Sequence, residues 1–232
     1  MKIIWLGHSG FRIEIENAVL LVDPWLTGNP LFPAAREDEA VSGATHILLT
    51  HAHGDHAADA ARLAKKLGIK VHCIHELATW MAAEGLAETV GFGKGGTLKL
   101  GGTKVTMVNA AHSASIDFGD RGLMPGGSAA GFMIAGEGHT IYVSGDTDIM
   151  ADMGWMAEYH QPDIGILSCG GHYTMDMDRA AWAARKWFNF RWVIPCHYKT
   201  FPILAQDASA LRAGLPPGVE VIEHDVLDPI LI

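Results

Sequence analysis

Long hydrophobic runs are missing from this chain of 232 residues. No stretch approaches the roughly 18 consecutive apolar residues that a bilayer-spanning helix needs, which argues against a membrane protein. Cysteine is scarce: Cys73, Cys169 and Cys196 form neither an even set nor a C-x-x-C pair. A disulfide framework therefore has no basis, and a reducing compartment fits. Basic residues are in the minority, 17 against 26 acidic ones, for a formal charge of -9. Phosphate-driven binding of nucleic acid is not expected of such a surface. The N-terminal MKIIWLGHSGF breaks its apolar run at Gly7 and His8 and has no small-residue cleavage site, so the expectation is a soluble, unprocessed, cytoplasmic protein.

Low complexity is absent too, since 49% hydrophobic and 19% charged residues give an ordinary globular balance. No linker interrupts the chain, and residues 1–232 read as one domain. Three short β-like runs, Lys2 to Leu6, Phe11 to Glu16 and Ala18 to Val22, form an antiparallel meander. A Pro-bearing loop spans Asp23 to Arg36, and a buried strand covers Ile47 to Thr50. Ala60, Leu63, Ala64 and Leu67 share one face of a helix from Asp59 to Leu67, which Gly68 stops. A strand at Val71 to Ile74 and a helical stretch over 75–90 follow.

The pattern then repeats. Leu98 to Leu100 and Lys104 to Val108 form a hairpin about Gly101-Gly102, and Gly131 to Ala135 pairs with Thr140 to Ser144. Helices at Asp152 to Tyr159, Asp178 to Phe188 and Asp207 to Ala213 alternate with strands at Asp163 to Leu167 and Trp192 to Cys196. Two halves emerge, each with antiparallel strands first and helix-flanked strands after. That order describes an α/β chain with two stacked sheets and helices outside.

Histidine is the abundant residue that demands an explanation, with 13 copies. Four of the six residues in His51-Ala52-His53-Gly54-Asp55-His56 are ligand types. In an extended segment His51 and His53 point the same way and can converge on one ion, while a turn at Gly54 swings Asp55 and His56 toward another. A solvated polar loop would not be fed by a buried apolar strand. Two neighbouring ions with an open site need about six donors, and further candidates follow later strands: His112 in NAAHSAS, Asp146 in SGDTD and His197 in IPCHYKTFP. Taken alone, each histidine could be structural and Asp146 could be a cap.

At these residues, and from LGHSGF through THAHGDH, HSAS, SGDTD and GGHYTMD to PCHYKTFP, the chain resembles the metallo-β-lactamase fold superfamily of metal-dependent hydrolases. It is most similar to the uncharacterised group that resembles ascorbate-6-phosphate lactonase. The resemblance implies a four-layer αβ/βα sandwich. It also implies two divalent ions (zinc, manganese, nickel or iron): His51, His53 and His112 on one, Asp55, His56 and His197 on the other, and Asp146 bridging both. A metal-bound hydroxide would attack a lactone or ester of a small molecule, with Asp55 and Asp146 holding metal and relaying a proton. Phosphodiester hydrolysis and a non-catalytic, metal-dependent ligand-binding role are the alternatives, and a homo-oligomer is compatible with either.

Two features depart from the relatives. Thr45 stands where related chains often carry an acidic residue, so a carboxylate that orients a ligand is expected to be missing. His53 replaces the Glu of the oxygen-reducing di-iron branch. The resemblance places His8 and His172 around the pocket, where either could donate to substrate or serve as an acid; a histidine satisfied in a turn is the plain alternative. Tyr198 and Lys199 could reach an anionic or carbonyl oxygen, or form an exposed pair without a task. His46, His72, His75, His139, His160 and His224 read as surface or core histidines, and Trp25, Trp155 and Trp182 as core.

Overall fold

A computed structural model describes residues 1–117, 120 and 122–232. Apolar strands that turn back at His8-Ser9 and Glu16-Asn17 give the antiparallel meander β1 (Lys2–Gly7), β2 (Gly10–Ile15) and β3 (Ala18–Val22). Beyond the loop, with its 3-10 turn at Ala34–Arg36 and the short helix α1 (Glu37–Val41), the direction changes. β4 (His46–Leu48), β5 (Lys70–Ile74) and β6 (Thr89–Phe92) add in parallel to β3, joined by α2 (Gly54–Ala57), α3 (Ala60–Leu67) and α4 (His75–Ala83). Helix α3 ends where Gly68 takes the left-handed conformation that favours glycine, at φ 67°.

The second half repeats the scheme. β7 (Thr97–Leu100), β8 (Thr103–Asn109), β11 (Ala130–Gly136) and β12 (His139–Val143) are antiparallel, with a two-stranded ribbon β9 (Ser115–Asp117) and β10 (Leu123–Pro125) between β8 and β11. Then β13 (Ile164–Ser168), β14 (Trp192–Cys196) and β15 (Glu220–Val221) run parallel to β12, linked through α5 (Asp152–His160), α6 (Met177–Trp187) and α7 (Ser209–Gly214). The last strand, β16 (Pro229–Leu231), returns to pair with β1. Two seven-stranded sheets result, ordered β16-β1-β2-β3-β4-β5-β6 and β15-β14-β13-β12-β11-β8-β7.

The inner faces meet in one apolar core that holds Phe11, Ile13, Leu20, Val105, Phe132, Ile134 and Ile166, all at 0% exposure. Phe92 and Phe132 stack across it at 6.2 Å. Helices cover the outer faces, which completes the four-layer α/β sandwich. No helix among the described residues is long and apolar enough to cross a membrane.

Three details differ from the sequence reading. The helical stretch expected over 75–90 stops at Ala83, because Gly85 turns the chain at φ 64° and Thr89 and Val90 join a strand beside β5. The pairing of 115–117 with 123–125 has no counterpart in the sequence pattern, since its strands have only three residues each. Trp155 and Trp182, read as core, are 49% and 43% exposed on the helices that carry them.

The parallel strands bring their following loops into very close approach. A Cβ on Gly170, just past β13, would lie 1.8 Å from the carbonyl oxygen of His197, just past β14. Only glycine fits without displacing backbone. Gly170→Ala is therefore expected to cost about 1–3 kcal/mol or more of stability, read as a lowered urea midpoint, and to shift His197; an unchanged midpoint would contradict the close approach.

Candidate metal centre

The C-terminal mouths of both sheets open toward one another, and the polar residues follow them. His51, His53, Asp55 and His56 come after β4, His112 after β8, Asp146 after β12 and His197 after β14. His8 joins them from the turn between β1 and β2. Backbone strain gathers here: His8, Asp23, His172, His197 and Lys199 all have φ between 45° and 63°. Such conformations cost of order 1–3 kcal/mol each and persist where the surroundings hold them.

Three overlapping sets of donor atoms form, each with all its atoms within 4.8 Å of one another. One is His51, His53 and His112; a second is His8, Asp55, His56 and His197; the third is His51, His56 and Asp146. Asp146 lies between the first two. Its Oδ2 stands 3.2 Å from His197 Nε2, 3.3 Å from His56 Nε2 and 3.6 Å from His112 Nε2. Ser168 donates its hydroxyl to the other oxygen, Oδ1, at 3.1 Å. Most of the cluster is sealed, but Asp55 has 33% of its side chain exposed, His112 has 15% and His53 is half-buried, and these mark its open edge.

A carboxylate that the sequence reading missed organises the cluster. Asp23 is buried and accepts from the backbone N–H of Thr50 at 2.8 Å, the Thr50 hydroxyl at 2.6 Å and His56 Nδ1 at 2.8 Å. Thr50 Oγ1 in turn lies 3.0 Å from His51 Nδ1. With Nδ1 of both rings committed to these partners, the Nε2 lone pairs of His51 and His56 face the cluster. The orienting carboxylate expected to be lost at Thr45 is thus supplied by Asp23, while Thr45 bonds the backbone of Val19.

The donors fit divalent cations. His56 Nε2 is buried with no hydrogen-bond partner, and His51 Nε2 stands 2.9 Å from His53 Nδ1, so two imidazole nitrogens address one point. Buried donors left in this state are costly unless a cation or proton takes up their lone pairs. The titration behaviour agrees. Burial alone would lower His56 and His197, yet the charge of Asp146 outweighs it and carries His56 well above the usual range and His197 up to about 9. Burial would raise Asp55, but His197 and His8 hold it well below the usual carboxylate range. Positive charge is in demand at this point of the fold.

Several residues occupy other positions than the sequence suggested. His8, a substrate candidate, is fully buried; its Nε2 lies 3.0 Å from Asp55 Oδ2, its Nδ1 2.8 Å from Thr200 Oγ1, and its ring lies 3.9 Å from that of His197. Burial pushes it down to about 4, so the neutral ring donates to Asp55 and positions it. Tyr198 is buried against Trp5 with its hydroxyl 3.4 Å from Glu223, and Lys199 Nζ also turns to Glu223, at 3.5 Å. Neither side chain addresses the cluster. His172 is exposed, with its ring against Tyr173, on a loop tied to Thr147 and Ala205 through Met175 and Gly170. Trp25, read as core, is half-buried with its ring edge-on to His8 at 5.4 Å.

Two facing sheets with a His/Asp cluster between their loops define a metallo-β-lactamase-type domain. A family model described as the β-lactamase superfamily domain matches residues 19–198, and the chain belongs to this superfamily as a metal-dependent hydrolase. It is 67% identical over 231 residues, 99% of each chain, to the UPF0173 metal-dependent hydrolase of Paracoccus denitrificans (strain Pd 1222). Among solved structures it is similar to Igni18, a metallo hydrolase from Ignicoccus hospitalis KIN4/I, with a TM-score of 0.84, 29% identity and coverage of 99% and 97% of the two chains. The metallo-β-lactamase fold protein YhfI from Bacillus subtilis shares the fold, with a TM-score of 0.75 at 16% identity over 99% and 98% of the chains.

Removing Asp23 tests the orienting network. Asp23→Ala is expected to weaken divalent-ion binding about 10- to 100-fold in a competition titration against a chelator, with the circular dichroism spectrum retained. Unchanged affinity would show that Thr50 and His56 do not need it.

Proposed function

We propose that the chain hydrolyses an ester or lactone bond in a small molecule with two divalent ions held in this cluster. The observation that carries the reading is the place of Asp146, whose Oδ2 is shared at 3.2–3.6 Å among histidines of both donor sets. His51, His53 and His112 would hold one ion, Asp55, His56 and His197 the other, and Asp146 both. Ions so held acidify water and polarise the oxygen of the bond under attack.

The remaining steps belong to the protein's own groups. Asp55, partly exposed at the open edge and fixed by His8, would accept the proton released as water attacks. The Ser168 hydroxyl steadies Asp146 during that change. His172, exposed on the loop tied to Thr147 and Ala205, would be the acid that protonates the departing alkoxide. Water adds across the C–O bond, leaving a carboxylic acid and an alcohol. The acidic surface and the sealed flanks of the cluster support a small-molecule substrate over a nucleic acid.

A panel of lactones, p-nitrophenyl esters and bis-p-nitrophenyl phosphate tests the reaction in metal-replete protein and after chelation. Ester or lactone turnover should vanish with the metal and return on its addition. Asp146→Ala should abolish turnover and lower the ion stoichiometry from two. His172→Ala should lower kcat/KM about 10²- to 10⁴-fold with metal content intact. Turnover that survives chelation, or a stoichiometry that never exceeds one in the wild type, would sink the two-ion reading; phosphodiester cleavage alone would move the activity to the other class.

A further inference from the structure

Two loops put aromatic side chains beside the open edge of the cluster. Trp25 is carried by the loop after β3, which Asp59 anchors by accepting from the backbone N–H groups of Leu26 at 2.7 Å and Thr27 at 2.6 Å. Phe201 is carried by the loop after β14, with Ile203 beyond it; they are 37% and 56% exposed. The two rings stack at 6.2 Å and both meet His8, Trp25 at 5.4 Å and Phe201 at 5.8 Å. His8 is the residue that positions Asp55, so this apolar wall adjoins the reacting centre.

Four cations of the segments that carry these residues are engaged. Among the described residues of the segments that carry the donors, Lys199 turns to Glu223, Arg62 to Glu37 and Asp59, and Arg12 to Glu14 and two backbone carbonyls. Arg179 pairs with Asp148. A substrate with a phosphate or other anion remote from the scissile bond would meet no unpaired partner in them, whereas an apolar substituent would cover exposed aromatic surface.

We infer that the Trp25–Phe201 wall selects substrates whose non-reacting part is uncharged and apolar, an aliphatic or aromatic acyl group of the ester or lactone. This rests on the hydrolase reading given above, and the test separates the two by using carboxylate products, which bind without turnover. Affinities of acetate, hexanoate, phenylacetate and gluconate for the metal-loaded protein are measured by calorimetry. Hexanoate and phenylacetate should bind about 10-fold or more tightly than acetate, from burial of their added carbons, and gluconate should gain nothing despite its length. Phe201→Ser should remove most of that gradient at unchanged metal content, and Phe201→Leu should restore part of it. A flat series in the wild type, tighter binding of gluconate than of hexanoate, or a gradient untouched by Phe201→Ser would overturn the inference. A gradient that behaves as expected in protein that hydrolyses no ester or lactone would keep the wall and discard the proposed reaction.

Discussion

The buried carboxylate of Asp23 is the constraint on which the centre depends. A carboxylate at 1% exposure is tolerable only with its oxygens well supplied by donors. Asp23 draws those donors from Thr50 and His56, and Thr50 passes the constraint on to His51. Residues assigned to both ions thereby take their ring orientation from a single side chain that would touch neither. The left-handed turn at Asp23, φ 45°, aims that side chain back under the strand that leads into the histidine motif.

The same logic extends outward. Asp55 is held by His8, His8 by Thr200, and Asp146 by Ser168, so each carboxylate of the cluster has a polar group that fixes it from behind. Histidine plays two parts in one site. Some rings present a free nitrogen to the centre, while His8 spends both nitrogens on bracing its neighbours. Burial does not divide them: His51, His56 and His197 are sealed as fully as His8, and the open edge is left to His53, Asp55 and His112.

Much of this was legible in the sequence, for identifiable reasons. Strand direction could be read because antiparallel pairs are joined by tight turns such as Gly101-Gly102, whereas parallel pairs need a helix between them. The motif from His51 to His56 was legible because donors crowd six positions after an apolar strand. Asp23 was not: a single aspartate after AVLLV looks like any turn residue, and only the fold brings it beneath Thr50 and His56. The directions of Tyr198 and Lys199 were hidden as well, because positive φ at His197 and Lys199 breaks the alternation that would otherwise predict which way each side chain points. Trp25 was misread since its loop is anchored from a distance, by Asp59 on the threshold of α3.

The donors are drawn from both sheets: His51, His53, Asp55 and His56 stand at the mouth of the first, His112, Asp146 and His197 at that of the second. An ion held at this seam is therefore a clasp between two halves of the sandwich, not an ornament on one of them. Its binding free energy is then also cohesion free energy, and resistance to unfolding becomes a function of the surroundings as well as of the chain. Above saturation each tenfold rise in free ion adds about 1.4 kcal/mol per site. In a cell whose metal supply fluctuates, the abundance of the folded protein would follow that supply.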